Sequence, residues 1–162
     1  MRQAVAPTRL FLAAAALSLG VVAAALYTQH ALGMLPCPWC VLQRLVFVVV
    51  GGAALLGLAS RAAVARRLAA GVMLLGAVAG AAAALWQHFV AASSTSCKLT
   101  LADRIMSTTG LDVLLPDVFG AWATCADAAV QLLGLPYEAW SLAVFVLLGA
   151  VAVRLLRLPA RR

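Results

Sequence analysis

Four cysteines, Cys37, Cys40, Cys97 and Cys125, are the residues of this 162-residue chain best suited to covalent chemistry. Two of them form Cys37-Pro38-Trp39-Cys40, with the thiols three positions apart, the spacing used by centres of thiol–disulfide exchange. A loop that short constrains the unfolded chain little, so the pair makes more sense as chemistry than as a staple. An even count of cysteines fits pairing in an oxidising compartment. Two structural disulfides are the plain alternative. A four-cysteine zinc site would bring two close pairs of ligands, and only one pair is close, so no metal is expected.

The elements that must position these sulfurs are apolar. Of the chain, 65% is hydrophobic and 10% charged, against roughly 45–50% and about 25% in a soluble domain. That excludes a soluble globular protein, and it excludes disorder, which needs low hydrophobicity and high charge. Four runs, 10–27, 41–59, 68–89 and 139–156, are long enough to cross a bilayer, and in hydrocarbon such runs must be helices. The expectation is an all-α integral membrane protein, a four-transmembrane-helix bundle forming a single domain over 1–162. Outer loops are expected at 28–40 and 90–138. A cleavable signal is the alternative for the first run, but the run exceeds a signal core of about 7–15 residues.

Basic residues collect on cytoplasmic flanks. Arg2 and Arg9 precede the first span, Arg61, Arg66 and Arg67 join the second to the third, and Arg154, Arg157, Arg161 and Arg162 end the fourth. Both termini are therefore expected in the cytoplasm, with the arginines against anionic lipids. All four cysteines and all five acidic residues then fall on the outer side. The net charge of +7 does not signal nucleic acid, because the basic clusters sit at span ends without interleaved aromatics. Gly76-x-x-x-Gly80 allows close helix approach; packing within one bundle is the simpler use of it and a homodimer face the other.

Around the first pair the expectations are specific. Cys40 opens the second span, so the helix N-terminus stabilises its thiolate. Pro36 and Pro38 are expected to hold the loop out of the helix and leave both sulfurs exposed. Trp39 reads as an anchor in the membrane interface. Arg44, four residues on, shares a helix face with Cys40. It is either an arginine snorkelling to the headgroups or a fixed cation for a thiolate or a reduced acceptor, and its nearness to Cys40 favours the second. Cys97 and Cys125 read as a disulfide on a flexible loop, suited to exchange with a partner. The apolar stretch from Val113 to Phe119, broken by Pro116, is expected along the membrane surface. His30 and His88 lie on the cysteine side, where each alone reads as an interface side chain.

Taken together, the order of these features resembles the disulfide bond formation protein B (DsbB) family of bacterial inner-membrane quinone reductases, part of the system that keeps the periplasm oxidising. The resemblance rests on four spans, Gln29-His30 before Cys-x-x-Cys, Arg four residues later, two cysteines in a long second outer loop, and Leu133-Gly134-Leu135-Pro136-Tyr137-Glu138-Ala139-Trp140. It implies a disulfide oxidase that reoxidises a DsbA-type thioredoxin-fold partner in the periplasm and passes electrons to ubiquinone or menaquinone. By the same resemblance Cys97 forms the mixed disulfide, a Cys37–Cys125 link connects the pairs, Cys40 hands electrons to the quinone, and Arg44 and His88 stand at the quinone. A relay of the same build with a dedicated partner, or one run in the reducing direction, shares this skeleton. Outside enzymes, the alternative is a membrane scaffold with two structural disulfides.

Overall fold

A computed structural model describes residues 2–91 and 100–158. Four long helices, each long and apolar enough to span a membrane, carry the fold: α1 (Arg2–Leu32), α2 (Pro38–Ala59), α3 (Ala63–Trp86) and α7 (Tyr137–Arg157). The last turn of α3 opens into a π-turn, Gln87–Ala91. Between it and α7 lie α4 (Leu101–Thr109), the single turns α5 (Leu111–Leu114) and α6 (Pro116–Phe119), and a hairpin of β1 (Gln131–Leu132) and β2 (Leu135–Pro136). The chain is an all-α, multi-pass membrane protein.

The helices outrun the apolar stretches, because a helix leaving the hydrocarbon keeps its internal hydrogen bonds and needs no further apolar residues. Thus α1 continues through Gln29 and His30 to Leu32. It stops where Gly33 takes φ +66° and Met34 N–H returns to the Thr28 carbonyl at 3.2 Å, a left-handed exit that glycine makes without steric cost. Pro38 stands in the first turn of α2, where its missing N–H loses nothing. The first loop is thereby cut to Gly33–Cys37, and Cys37 becomes the N-cap of α2.

In the bundle α2 packs on α1 and α3, and α3 packs on α7. Phe47 and Phe145 stack at 4.0 Å between centroids and 3° between planes. Small residues make room for them. A Cβ on Gly80 would overlap the Phe145 ring, and one on Gly76 would come within 2.6 Å of Val50 Cγ2. The Gly76–Gly80 spacing therefore serves packing inside one bundle. At the end away from Cys37, Arg66 donates from Nε to the Gly57 carbonyl at 3.2 Å and from Nη2 to Thr8 Oγ1 at 3.4 Å, fastening α3 to α2 and α1.

Candidate redox site

The N-terminus of α2 holds the first pair. Cys40 N–H donates to Cys37 Sγ at 3.3 Å, so the capping side chain is a cysteine. The two sulfurs are 2.7 Å apart, close enough for a disulfide to form with a small adjustment toward about 2.05 Å. The sulfurs are not exposed as the prolines suggested. Cys37 is fully buried and Cys40 partly so, because the second loop folds back over them. Trp122 and Ala123 N–H groups both donate to the Pro36 carbonyl, at 3.0 and 3.3 Å. Phe119, Met106 and Ala102 pack in the same apolar cluster as Cys37.

This fold-back delivers Cys125. It is buried in the same cluster as Cys37, where the Cys37 side chain and the Trp39 backbone N–H both favour charge on its sulfur. Cys125 is thus docked on the first pair and is not carried on a free loop. Cys97 lies outside the described residues. The hydrogen bonds to Cys125 and Cys40, with burial behind them, push the Cys37 thiol far above its ordinary range. The same Cys37 contact holds Cys125 below its usual value. Cys37 keeps its proton and shares it with Cys125, which is the sulfur readier to become a nucleophilic thiolate.

Arg44 is buried and faces the protein, not the headgroups. Its Nη1 donates to Gln29 Oε1 at 2.6 Å and to the Val118 carbonyl at 3.0 Å, and Nη2 reaches the Ala25 carbonyl at 3.5 Å. Gln29 Nε2 continues the bracket to the Asp117 carbonyl at 3.1 Å. One guanidinium therefore joins α1, α2 and α6. Arg44 and Cys40 line one recess together with Thr28, Met34, Leu35, Pro36 and Tyr137. Thr28 Oγ1 and Tyr137 OH pair across it at 3.3 Å.

The lining suits a quinone head. It offers a cation, two hydroxyls, apolar walls and a sulfur, and the recorded bonds of Arg44 leave part of its five-donor fork for a carbonyl oxygen. The recess is small, about 30 Å³. His88 is not among the lining residues. Its Nδ1 meets Glu138 Oε1 at 2.8 Å, tying the π-turn to the first turn of α7. His30 is exposed on α1.

Other expectations shift with burial. Trp39 is not an interface anchor: it is buried, its ring 6.3 Å from that of Trp86. The 113–119 stretch breaks at Pro116, leaving Val113 and Leu114 exposed while Phe119 enters the core. Sequence reasoning passed over Gln43 and Gln87, both buried, with Gln43 Nε2 donating to Gln87 Oε1 at 2.7 Å and Gln87 Nε2 to Cys40 Sγ at 3.3 Å. A glutamine inside an apolar run was the available signal, since a carboxamide in a span needs a partner.

The family model for disulfide bond formation protein DsbB matches residues 7–155. Among curated relatives, the chain is 36% identical over 149 residues to Disulfide bond formation protein B of Cupriavidus necator, covering 91% of each chain. It is 34% identical over 138 residues to that of Herminiimonas arsenicoxydans, covering 85% of this chain and 87% of the relative. For Nitrosomonas europaea the identity is 32% over 146 residues, covering 88% and 89%. With four spanning helices and three cysteines gathered where α2 begins, the chain belongs to the disulfide bond formation protein DsbB family.

Proposed function

We propose that this chain is a thiol:quinone oxidoreductase that reoxidises a DsbA-type thioredoxin-fold dithiol protein and delivers the electrons to ubiquinone or menaquinone. The observation that carries the reading is the position of Cys37, in contact with Cys40 on one side and Cys125 on the other. The excess of arginine at the opposite end supports a bacterial inner-membrane protein with both termini in the cytoplasm and the cysteines in the periplasm.

The relay is a series of thiolate exchanges. A partner thiolate attacks Cys97 of a Cys97–Cys125 disulfide, and the partner's second thiol resolves the mixed disulfide. The partner leaves oxidised, and Cys97 and Cys125 are thiols. The Cys125 thiolate attacks Cys37 of a Cys37–Cys40 disulfide, so the Cys37–Cys125 bond forms, the Cys37–Cys40 bond breaks, and Cys40 departs as a thiolate. Cys97 then attacks Cys125, restoring the loop disulfide and returning Cys37 as a thiol. A quinone in the recess supplies a two-electron, two-proton acceptor for the Cys37–Cys40 dithiol, which becomes a disulfide again.

Within this scheme the protein's own residues have separate tasks. Cys125 is held beside Cys37 with the Trp39 backbone N–H favouring its thiolate, and burial keeps competing thiols from the junction. Arg44 orients the acceptor and stabilises negative charge developing on its oxygen. We assign acceptor contact to Arg44 and not to His88, whose partner is Glu138.

The test is direct. Protein purified in detergent is mixed with a reduced thioredoxin-like protein, and the absorbance of ubiquinone and menaquinone analogues is followed. Dithiol-dependent reduction, absent in Cys40→Ser, is the expected result and ranks the two acceptors. No reduction of either, with both disulfides intact by mass mapping, would leave a scaffold with structural disulfides.

A further inference from the structure

Gln87 and Gln43 form a buried polar chain that ends on a sulfur. Gln43 lies on α2 three residues after Cys40, and Gln87 opens the π-turn of α3. Gln43 Nε2 donates to Gln87 Oε1 at 2.7 Å, which turns the Gln87 amino group toward Cys40 Sγ, 3.3 Å away. Both side chains are buried, each 3% exposed.

Two glutamines that served only to join helices would satisfy each other by reciprocal bonds. Here one N–H of Gln87 is committed to sulfur, a weak acceptor as a neutral thiol and a strong one as a thiolate. Burying carboxamides in a span is costly unless they are well bonded, and the bond from Gln87 to sulfur is strong only when Cys40 carries charge. The π-turn supports the same view. Such turns interrupt the ordinary helical register and are frequent at functional sites. Around this one Gln87 faces α2 while the next residue, His88, faces α7.

We infer that Gln87 is a catalytic hydrogen-bond donor that stabilises the Cys40 thiolate, and that Gln43 is the positioning residue that fixes its orientation. The inference rests on the reading of Cys40 as the sulfur released when Cys125 attacks Cys37. At that step the Cys37–Cys40 bond breaks, its electron pair stays on Cys40, and the Gln87 N–H receives the charge without a proton moving. The other titratable groups around this sulfur are Cys37 at the N-cap of α2, Arg44 on α2, Cys125 from the second loop and Tyr137 of α7 across the recess.

The experiment measures the reduction potential of the Cys37–Cys40 couple in full-length protein carrying Cys97→Ser and Cys125→Ser. The protein is equilibrated with dithiothreitol buffers, and reduced cysteines are counted by alkylation and mass spectrometry. Stabilising the thiolate favours the reduced pair, so Gln87→Leu lowers its formation constant about tenfold, a shift of about 30 mV to more negative potential for two electrons. Gln87→Glu keeps the acceptor for Gln43 and replaces the donor with a carboxylate, so its shift has the same sign and is larger. Gln43→Leu shifts the same way by less. If Gln87→Leu does not fold, the isosteric Gln87→Glu decides. Potentials unchanged within twofold in the folded Gln87 variants would overturn the inference. Because no quinone enters this measurement, a protein that fails to reduce quinones yet shows these shifts would refute the proposed function and leave the role of Gln87 standing.

Discussion

Arg44 Nη1 sits 2.6 Å from Gln29 Oε1, so the cation four residues below Cys40 is held by a side chain from α1, and the other end of that carboxamide holds the second loop at Asp117. A hydrogen bond to a charged group contributes about 1.5–3 kcal/mol. Gln29→Leu is expected to lower stability by an amount in that range and to open the segment around α6 to proteolysis. Thermal unfolding in detergent and timed chymotrypsin digestion check both effects. A loop equally resistant in the variant would sink the idea that Gln29 docks it.

Arg44→Lys preserves the charge but not the planar fork that reaches two acceptors at once. We expect the quinone KM to rise about tenfold with a smaller change in kcat, the pattern of lost binding and not of lost chemistry. Steady-state kinetics over a quinone series would show it. Unchanged kinetics would reduce Arg44 to a brace between α1, α2 and α6.

Cys40→Ser is expected to abolish quinone reduction while the reduced partner still consumes the loop disulfide once per protein. Single-turnover mixing followed by alkylation of released thiols separates the two half-reactions. A mutant with full turnover would remove Cys40 from the relay.

The Cys37–Cys125 contact predicts both a product and a pH order. With Cys40→Ser and Cys97→Ser together, mild oxidation should yield a Cys37–Cys125 disulfide on peptide mapping. With Cys97→Ser alone, in the reduced protein, the Cys37 hydrogen bond lowers the Cys125 thiol. Its alkylation therefore persists to lower pH than that of an ordinary thiol, whereas Cys37, pushed upward, stays protonated and slow over the same range. Cys37→Ala removes the donor, so the Cys125 alkylation midpoint should move to higher pH. A midpoint that does not move would mean the contact has no effect on reactivity.

Gly80→Ala places a methyl group into the Phe145 ring, which is itself stacked on Phe47. Overpacking of this kind costs about 1–3 kcal/mol, to be read from thermal unfolding beside Gly71→Ala, where a Cβ meets nothing within 4 Å. Equal stability of the two variants would show that the bundle relaxes around the added carbon.

Linear information sufficed for the four spans, the Cys37-x-x-Cys40 pair at a helix start, and Arg44 one turn on. Hydrophobic length and helical spacing are properties of contiguous residues, and the bilayer leaves an apolar run no other way to satisfy its backbone. Where the helices end was less legible, because polar residues such as Gln29 and His30 extend a helix as readily as they start a loop. Burial was not legible at all. Trp39 and the two sulfurs look exposed when the motif is read alone, and they are covered because Trp122 and Ala123 bond back to Pro36, contacts made across more than eighty residues. The union of Cys125 with Cys37, the turning of Arg44 toward Gln29, and the Gln43–Gln87–Cys40 chain belong to the same class. Each joins helices or loops distant in sequence, and only the packing of the bundle decides which polar group meets which.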